Sequence, residues 1–273
     1  MEAQLISLLL GSLTGIVLAL TGAGGTIIAV PLLIFGLHLT IAEAAPVALL
    51  AVSVSAAVGA LFALMQGKVR YRAAGFVAVI GAMVSPFGVW LAQKLPNAPL
   101  TLLFAVVLTI VAVNMLRQTH LHGEEAMQAS GLHASTPCLL ETADGRLKWT
   151  WSCARALALA GALAGFLSGL LGVGGGFVIV PALKKVTNFH MQSILATSLA
   201  IVALISAMGV ISAAFMGGMN WSIALPFTAG ALAGMLVGRI FASRLAGAKL
   251  QQGFAVVAIA VSVGMVVKLF LTA

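Results

Sequence analysis

The sequence predicts an all-α, polytopic membrane protein made of two inverted repeats of about five helical segments each. Its composition, a series of apolar segments and an internal repeat support this prediction. Of 273 residues, 62% are hydrophobic and 7% are charged, whereas a soluble domain carries about 25% charged residues. So few charges cannot cover a water-facing surface. The net charge of +8 does not indicate nucleic acid as a partner, because the basic residues lie at segment ends rather than on one face.

Ten apolar segments follow one another along the chain. A spanning helix needs about 17–25 apolar residues, and eight segments reach this length. The two that begin at Ala23 and Val173 are too short. The first five segments cover residues 4–21, 23–37, 41–66, 72–93 and 97–117, and the second five cover 154–171, 173–187, 190–216, 222–243 and 248–269. These groups predict a membrane repeat at 1–118, a linker at 119–153 and a second membrane repeat at 154–273.

The linker is polar and contains four of the six acidic residues. Its Ala143-Asp144-Gly145 stretch is typical of a turn, which suggests a short β-hairpin. The two cysteines, Cys138 and Cys153, give no disulfide framework. The nearby histidines match no zinc spacing, so we expect neither a metal nor a cofactor.

The two halves repeat each other at an offset of 150 residues. Ten of the 23 positions in 11–33 are identical to those in 161–183, including five glycines and a proline. Shared apolar composition alone would not place these residues in register. GAGGTIIAVP, residues 22–31, therefore corresponds to GVGGGFVIVP, residues 172–181.

The basic residues predict that the repeats are inverted. If each repeat crosses the membrane five times, 12 of the 14 lysines and arginines fall on one side and only Lys94 and Lys268 fall on the other. Four crossings per repeat would give an 8:6 division. Because cytoplasmic loops are enriched in basic residues, the first arrangement is preferred. It predicts an inner-membrane protein with a cytoplasmic linker and both termini outside.

Inverted repeats with short, Gly/Pro-interrupted segments are typical of secondary transporters. Glycines at Gly24, Gly25, Gly174, Gly175 and Gly176 can unwind the backbone and expose N–H groups. A helix that starts just after them points its positive end at a ligand. The paired breaks therefore predict a site for a small anion. The alternative is that these glycines only allow helices to pack closely.

The repeated G-x-G-G…P motif, the ATSLA stretch at 196–200 and GMLVGRIFASRL at 234–245 resemble the TauE/SafE family of sulfite and sulfonate exporters. The resemblance covers nearly the whole chain outside the linker. It implies export of sulfite, sulfoacetate or related sulfonates. The first half departs from the motif, since Thr26 replaces the third glycine and Pro46-Val47-Ala48 stands opposite Ala196-Thr197-Ser198. We expect Thr26 to bind the substrate together with the glycines of the two breaks.

Four polar residues outside the breaks are further candidates. Thr197 and Ser198 could donate hydroxyls to an oxyanion, or bond their own backbone as membrane serines commonly do. Glu43 could act in gating or proton transfer, or stabilise a helix N-terminus. Arg239 could attract anions at the inner mouth, or extend its charge to the membrane surface.

No base, nucleophile and carboxylate occur together in the membrane segments, so the sequence does not predict an enzyme. The leading hypothesis is a transporter that exports a small anion and has the lipid bilayer as its surroundings. The alternatives are a membrane protein that binds or scaffolds without transport, and a transporter of a cation or metal. The sequence leaves the oligomeric state open.

Overall fold

A computed structural model of the chain describes residues 2–21, 26–121, 138, 150–187, 191–245, 253, 256–265 and 267. These residues form helices joined by short turns, and no strand occurs among them. Each predicted apolar segment contains one helix, which confirms the all-α prediction. The helices are α1 Glu2–Thr21, α2 Thr26–Gly36, α3 Ile41–Met65, α4 Tyr71–Lys94, α5 Asn97–Leu121, α6 Trp151–Leu171, α7 Gly176–Val186, α8 Met191–Phe215, α9 Trp221–Leu245 and α10 Val256–Met265.

The described helices include six that are long and apolar enough to cross a membrane, so the chain is a multi-pass membrane protein. They are α3, α4, α5 over Asn97–Asn114, α6, α8 and α9 over Trp221–Ile240. The sequence predicted two further spans, in α1 and α10. The apolar stretches there, Gln4–Leu20 and Val256–Met265, are shorter, and the segment 248–269 is described only in part.

The second helix of each half is short, as the sequence predicted. Helices α2 and α7 each have 11 residues, which at about 1.5 Å per residue span roughly 16 Å. This is about half of the ~30 Å hydrocarbon layer. Each helix contains a proline at the equivalent position, Pro31 and Pro181.

Two helix pairs pack with their backbones in close contact, α4 with α6 and α1 with α9. On α6, an added methyl group would collide with the α4 backbone: at Gly161 with Val77, at Gly165 with Gly81 and at Gly169 with Ser85. Small residues at such interfaces let membrane helices approach closely. The residue numbers of the contacting positions rise together on the two helices, so α4 and α6 run parallel.

The α1–α9 pair has the same construction. An added methyl group would collide with the backbone of the opposite helix at Gly11, Gly15, Gly230 and Gly234. The residue numbers of the contacting positions again rise together on the two helices, so α1 and α9 also run parallel. An offset of 150 residues converts α1–α9 into α6–α4. Among the described residues, this close backbone packing therefore occurs twice, and each pair joins a helix of one repeat to a helix of the other.

Helices α3 and α8 meet at the centre and run antiparallel. The Ser53 hydroxyl donates to the Ala203 carbonyl (3.1 Å), and these two residues are 150 apart. On either side of this hydrogen bond, Gly59 faces Leu199 and Gly209 faces Leu49. Because α3 and α8 are equivalent helices of the two repeats, their opposite directions support the inverted arrangement that the basic residues predict.

The expectation that the cysteines form no disulfide was wrong, because Cys138 is bonded to Cys153 with a Cα–Cα distance of 5.1 Å. Cys153 lies in the first turn of α6. The Cys138 N–H donates to the Val186 carbonyl (3.2 Å) at the end of α7, and α7 packs against α6. The fold thus brings the cysteines together, whereas two cysteines alone form no recognisable spacing. The hairpin was predicted from CLLET and RLKWTW, residues 138–151. Its residues 139–149 lie outside the described part of the chain, and Trp151 begins α6 instead of ending a strand.

Candidate anion site at the second helix break

The chain between α6 and α7 is a sharp break formed by glycines. Gly172 ends α6 in the left-handed region (φ 73°), and its N–H donates to the Ser168 carbonyl (2.9 Å). Gly174 and Gly175 are also left-handed, both at φ 72°. L-residues with a side chain rarely adopt this conformation, so the local fold requires glycine. The break is buried in its full length.

Neighbouring helices leave no room for side chains in this break. A methyl group at Gly174 would lie 2.8 Å from Val52 Cγ1 on α3, and 3.1 Å from both Val202 Cγ1 and Ser206 Oγ on α8. At Gly175 it would lie 2.7 Å from the Ala164 carbonyl oxygen on α6. The backbone of the break therefore lies among α3, α6 and α8.

The start of α7 presents backbone donors at this place. The first N–H groups of α7 with a backbone acceptor are those of Val178 and Ile179, which both donate to the Gly175 carbonyl (3.1 and 3.2 Å). The preceding N–H groups are the ones that a helix start leaves for a cap, water or a ligand. With the positive end of the helix dipole, they form the type of site that binds anions.

Several buried hydroxyls have no hydrogen-bond partner, and one of them, Ser206 Oγ, lies against the break. In the described part of the chain, five side chains carry such a hydroxyl: Ser55, Ser85, Ser168, Ser206 and Thr228. Buried polar groups are normally hydrogen-bonded, and in a membrane each unsatisfied group is costly. Several of them close together indicate a place where a polar ligand or water completes the bonding.

Three of these hydroxyls belong to helices α4, α6 and α8. Ser206 Oγ faces Gly174. Ser85 Oγ lies 3.2 Å from the methyl position of Gly209, less than one turn after Ser206 on α8. Ser168 lies in the last turn of α6. All three serines are fully buried. The sequence analysis did not identify them, although the repeat contained a signal, since the equivalent positions Ala56, Met235 and Leu18 carry no hydroxyl.

Among the glycines predicted for the site, the structure places Gly174 and Gly175 in the break and Gly176 at the first position of α7. Gly24 and Gly25 lie outside the described residues. Thr26 begins α2 and is fully buried. The starts of the two short helices approach each other, because Ile27 and Phe177 line the same small apolar cavity.

Thr197 and Ser198 are buried, and both hydroxyls have partners. Thr197 Oγ1 accepts the backbone N–H of Arg70 (3.1 Å). The Ser198 hydroxyl donates to the Leu195 carbonyl (2.8 Å) in its own helix. For Ser198 this is the backbone bonding that the sequence left open as the alternative to substrate contact.

The two charged candidates, Glu43 and Arg239, each contact a neighbouring side chain. Glu43 Oε2 accepts the N–H (3.0 Å) and the hydroxyl (2.8 Å) of Thr40, which together form a capping box at the start of α3. This matches the helix-terminus interpretation of Glu43. The Arg239 guanidinium lies over the Phe62 ring, 4.5 Å from its centroid. A role for either residue in gating or attraction of anions stays a prediction.

Comparisons with known proteins agree on a transporter. The family model "Sulfite exporter TauE/SafE" matches residues 7–265. A protein of Xylella fastidiosa (strain Temecula1) named "Probable membrane transporter protein" is 29% identical over 269 residues, which is 96% of this chain and 94% of the relative. "Probable membrane transporter protein YunE" of Bacillus subtilis (strain 168) is 25% identical over 243 residues, 85% of this chain and 86% of the relative. No solved structure shows a significant match. The chain belongs to the sulfite exporter TauE/SafE family and is a membrane transporter.

Proposed function

We propose that the protein is a secondary transporter that exports small oxyanions, such as sulfite, sulfoacetate or related sulfonates, by alternating access. One observation carries the proposal. The positive end of α7 and the buried, unpartnered hydroxyl of Ser206 meet at the Gly174 break. Both groups can donate hydrogen bonds, and oxyanion oxygens accept them.

The chemistry of this site favours an anion over a cation. A cation site in a transporter uses carboxylates or exposed carbonyls as ligands. Around the second break, the described side chains are apolar or hydroxyl-bearing. Glu43, the one acidic residue of the membrane segments, is engaged by Thr40 at a helix start.

Export needs no coupling ion if the substrate is an anion. The membrane potential acts on a charge with about 2.3 kcal/mol per 100 mV. With the cell interior negative, this free energy drives anions outward. An inner-membrane location with the linker in the cytoplasm and both termini outside completes the proposal, supported by the 12:2 distribution of basic residues.

Efflux from reconstituted vesicles tests this function. Vesicles loaded with sulfite or sulfoacetate receive an imposed potential, negative inside, and efflux is measured against protein-free vesicles. We expect efflux to depend on the protein and on the potential, since 100 mV shifts the equilibrium ratio of a monovalent anion about 50-fold. If no oxyanion leaves faster than from protein-free vesicles, the exporter proposal is wrong and a binding or scaffolding protein becomes the better hypothesis.

A further inference from the structure

We propose that the two helix breaks are unequal, and that the anion is bound only at the second break, by the hydroxyls of Ser85 from the first repeat and of Ser168 and Ser206 from the second. The inference rests on the proposed function, because it names the binding residues of the same transporter. It adds that the first break has no matching set of three hydroxyls.

Ser206 is the residue with the most direct connection to the break. Its hydroxyl is fully buried, has no partner and lies against Gly174, whose backbone leads into α7. A serine in a helix can donate to the carbonyl one turn earlier at little cost. Ser206 makes no such bond, so its donor remains free for a ligand held at the start of α7.

Ser85 and Ser168 extend the polar surface from α8 to α4 and α6. Gly209 brings the Ser85 hydroxyl against α8. Ser168 is followed by Gly169, whose missing side chain lets α6 touch the Ser85 backbone. Helices α4, α6 and α8 thus each provide one buried, unpartnered hydroxyl, and the one on α8 lies against the break. An –SO₃⁻ group presents three acceptor oxygens, which suits three hydroxyls and the N–H groups of a helix start.

The positions 150 residues away from these three serines carry apolar side chains. Ala56 replaces Ser206, Met235 replaces Ser85 and Leu18 replaces Ser168, and all three residues are buried. The packing shows the difference directly. The Ser85 hydroxyl lies against Gly209, whereas the methyl end of Met235 lies against the equivalent Gly59. An apolar lining of this kind cannot replace the water shell of an anion.

Ser55 provides a matched control within the same protein. Like Ser206, it is a fully buried serine without a partner, and it lies on α3, the equivalent of α8. The residue 150 positions after Ser55 is Ile205, whereas Ser206 corresponds to Ala56. Ser55 therefore does not occupy the position that corresponds to Ser206. Ser55→Ala therefore removes the same type of atom from a position outside the three proposed for the site.

Anion binding to the purified full-length protein tests the inference, with sulfite and methanesulfonate as probes in calorimetric titrations. We expect Ser206→Ala and Ser85→Ala each to weaken binding about tenfold, because a hydrogen bond to a charged group is lost. Ser55→Ala should bind as the wild type does. Without ligand, Ser206→Ala should melt at the wild-type temperature or above, because an unpartnered buried hydroxyl does not stabilise the fold. A merely structural serine would instead lower the melting temperature.

The outcomes separate the two proposals. If the wild type binds the probes and Ser206→Ala binds equally well, the serine site is wrong while the transporter proposal stands. If Ser55→Ala weakens binding as much as Ser206→Ala, the site is not limited to the three proposed serines and the inequality of the two breaks is wrong. If the wild type neither binds nor exports these anions, both proposals are overturned.

Discussion

Gly174 has two structural duties that a substitution cannot separate. Its left-handed backbone turns the chain from α6 into α7, and its missing side chain leaves room for Val52 and Ser206. Any larger residue therefore strains the fold and alters the proposed site together. For this reason, Ser206 is a cleaner test of binding than the glycines that the sequence identified first.

Gly174→Ala tests these two duties at the level of one residue. A left-handed alanine costs roughly 1–2 kcal/mol, and the contact with Val52 adds to that cost. Gly217→Ala is the control, because Gly217 has φ 71° but no neighbour within 4 Å of the added methyl group. In thermal unfolding, Gly174→Ala should melt clearly below Gly217→Ala, and vesicle efflux should be lost only in the former. Equal melting of the two variants would contradict the tight packing of the break.

The repeat predicted the glycines of the second break, but the sequence alone did not predict its hydroxyls. Because a positive φ favours glycine, the pattern GVGGG indicates an unusual backbone conformation by itself. Whether a serine hydroxyl donates a hydrogen bond to a carbonyl of its own helix depends on how the neighbouring helix packs against it. Ser198 does so and Ser206 does not, although both are serines within α8. Comparison of the two repeats position by position is the signal that distinguishes Ser206 from Ala56.

At the scale of helices, sequence periodicity and breaks predicted most of the fold. Helices α3, α4, α8 and α9 begin and end within two residues of the predicted segments, because Gly, Asn and Pro residues mark their ends. The disulfide between Cys138 and Cys153 was not predictable, because it depends on how α6 packs beside α7. The pairing of α4 with α6 and of α1 with α9 also required the structure, since glycines occur throughout the chain.

Gly165→Ala tests the close contact of α4 with α6. The added methyl group would collide with the Gly81 backbone, and overpacking of this kind costs about 1–3 kcal/mol. Gly75→Ala on α4 is the control, because nothing lies within 4 Å of its methyl position and alanine favours a helix over glycine by about 1 kcal/mol. Thermal unfolding in detergent should show a lower melting temperature for Gly165→Ala and an unchanged or higher one for Gly75→Ala. The contact is not a tight one if both variants melt alike.

At the scale of the whole molecule, the packing and the distribution of charge point to the same arrangement. The antiparallel α3 and α8 place the turn after Met65 and the turn after Phe215 at opposite ends of the bundle. The first of these turns, KVRYR, has three basic residues, whereas the second, GGMNW, has none. A basic turn is expected on the cytoplasmic side and a neutral one outside.

Accessibility labelling in cells tests this inverted topology. Cys138→Ser and Cys153→Ser provide a cysteine-free background, and single cysteines then replace Lys68 or Asn220, both of which are exposed. A membrane-impermeant thiol reagent added outside should label the protein with Asn220→Cys and not the one with Lys68→Cys, until the cells are opened. Because the two turns end equivalent helices, parallel repeats would place both on one side. Labelling of both cysteines in intact cells would therefore contradict the inversion.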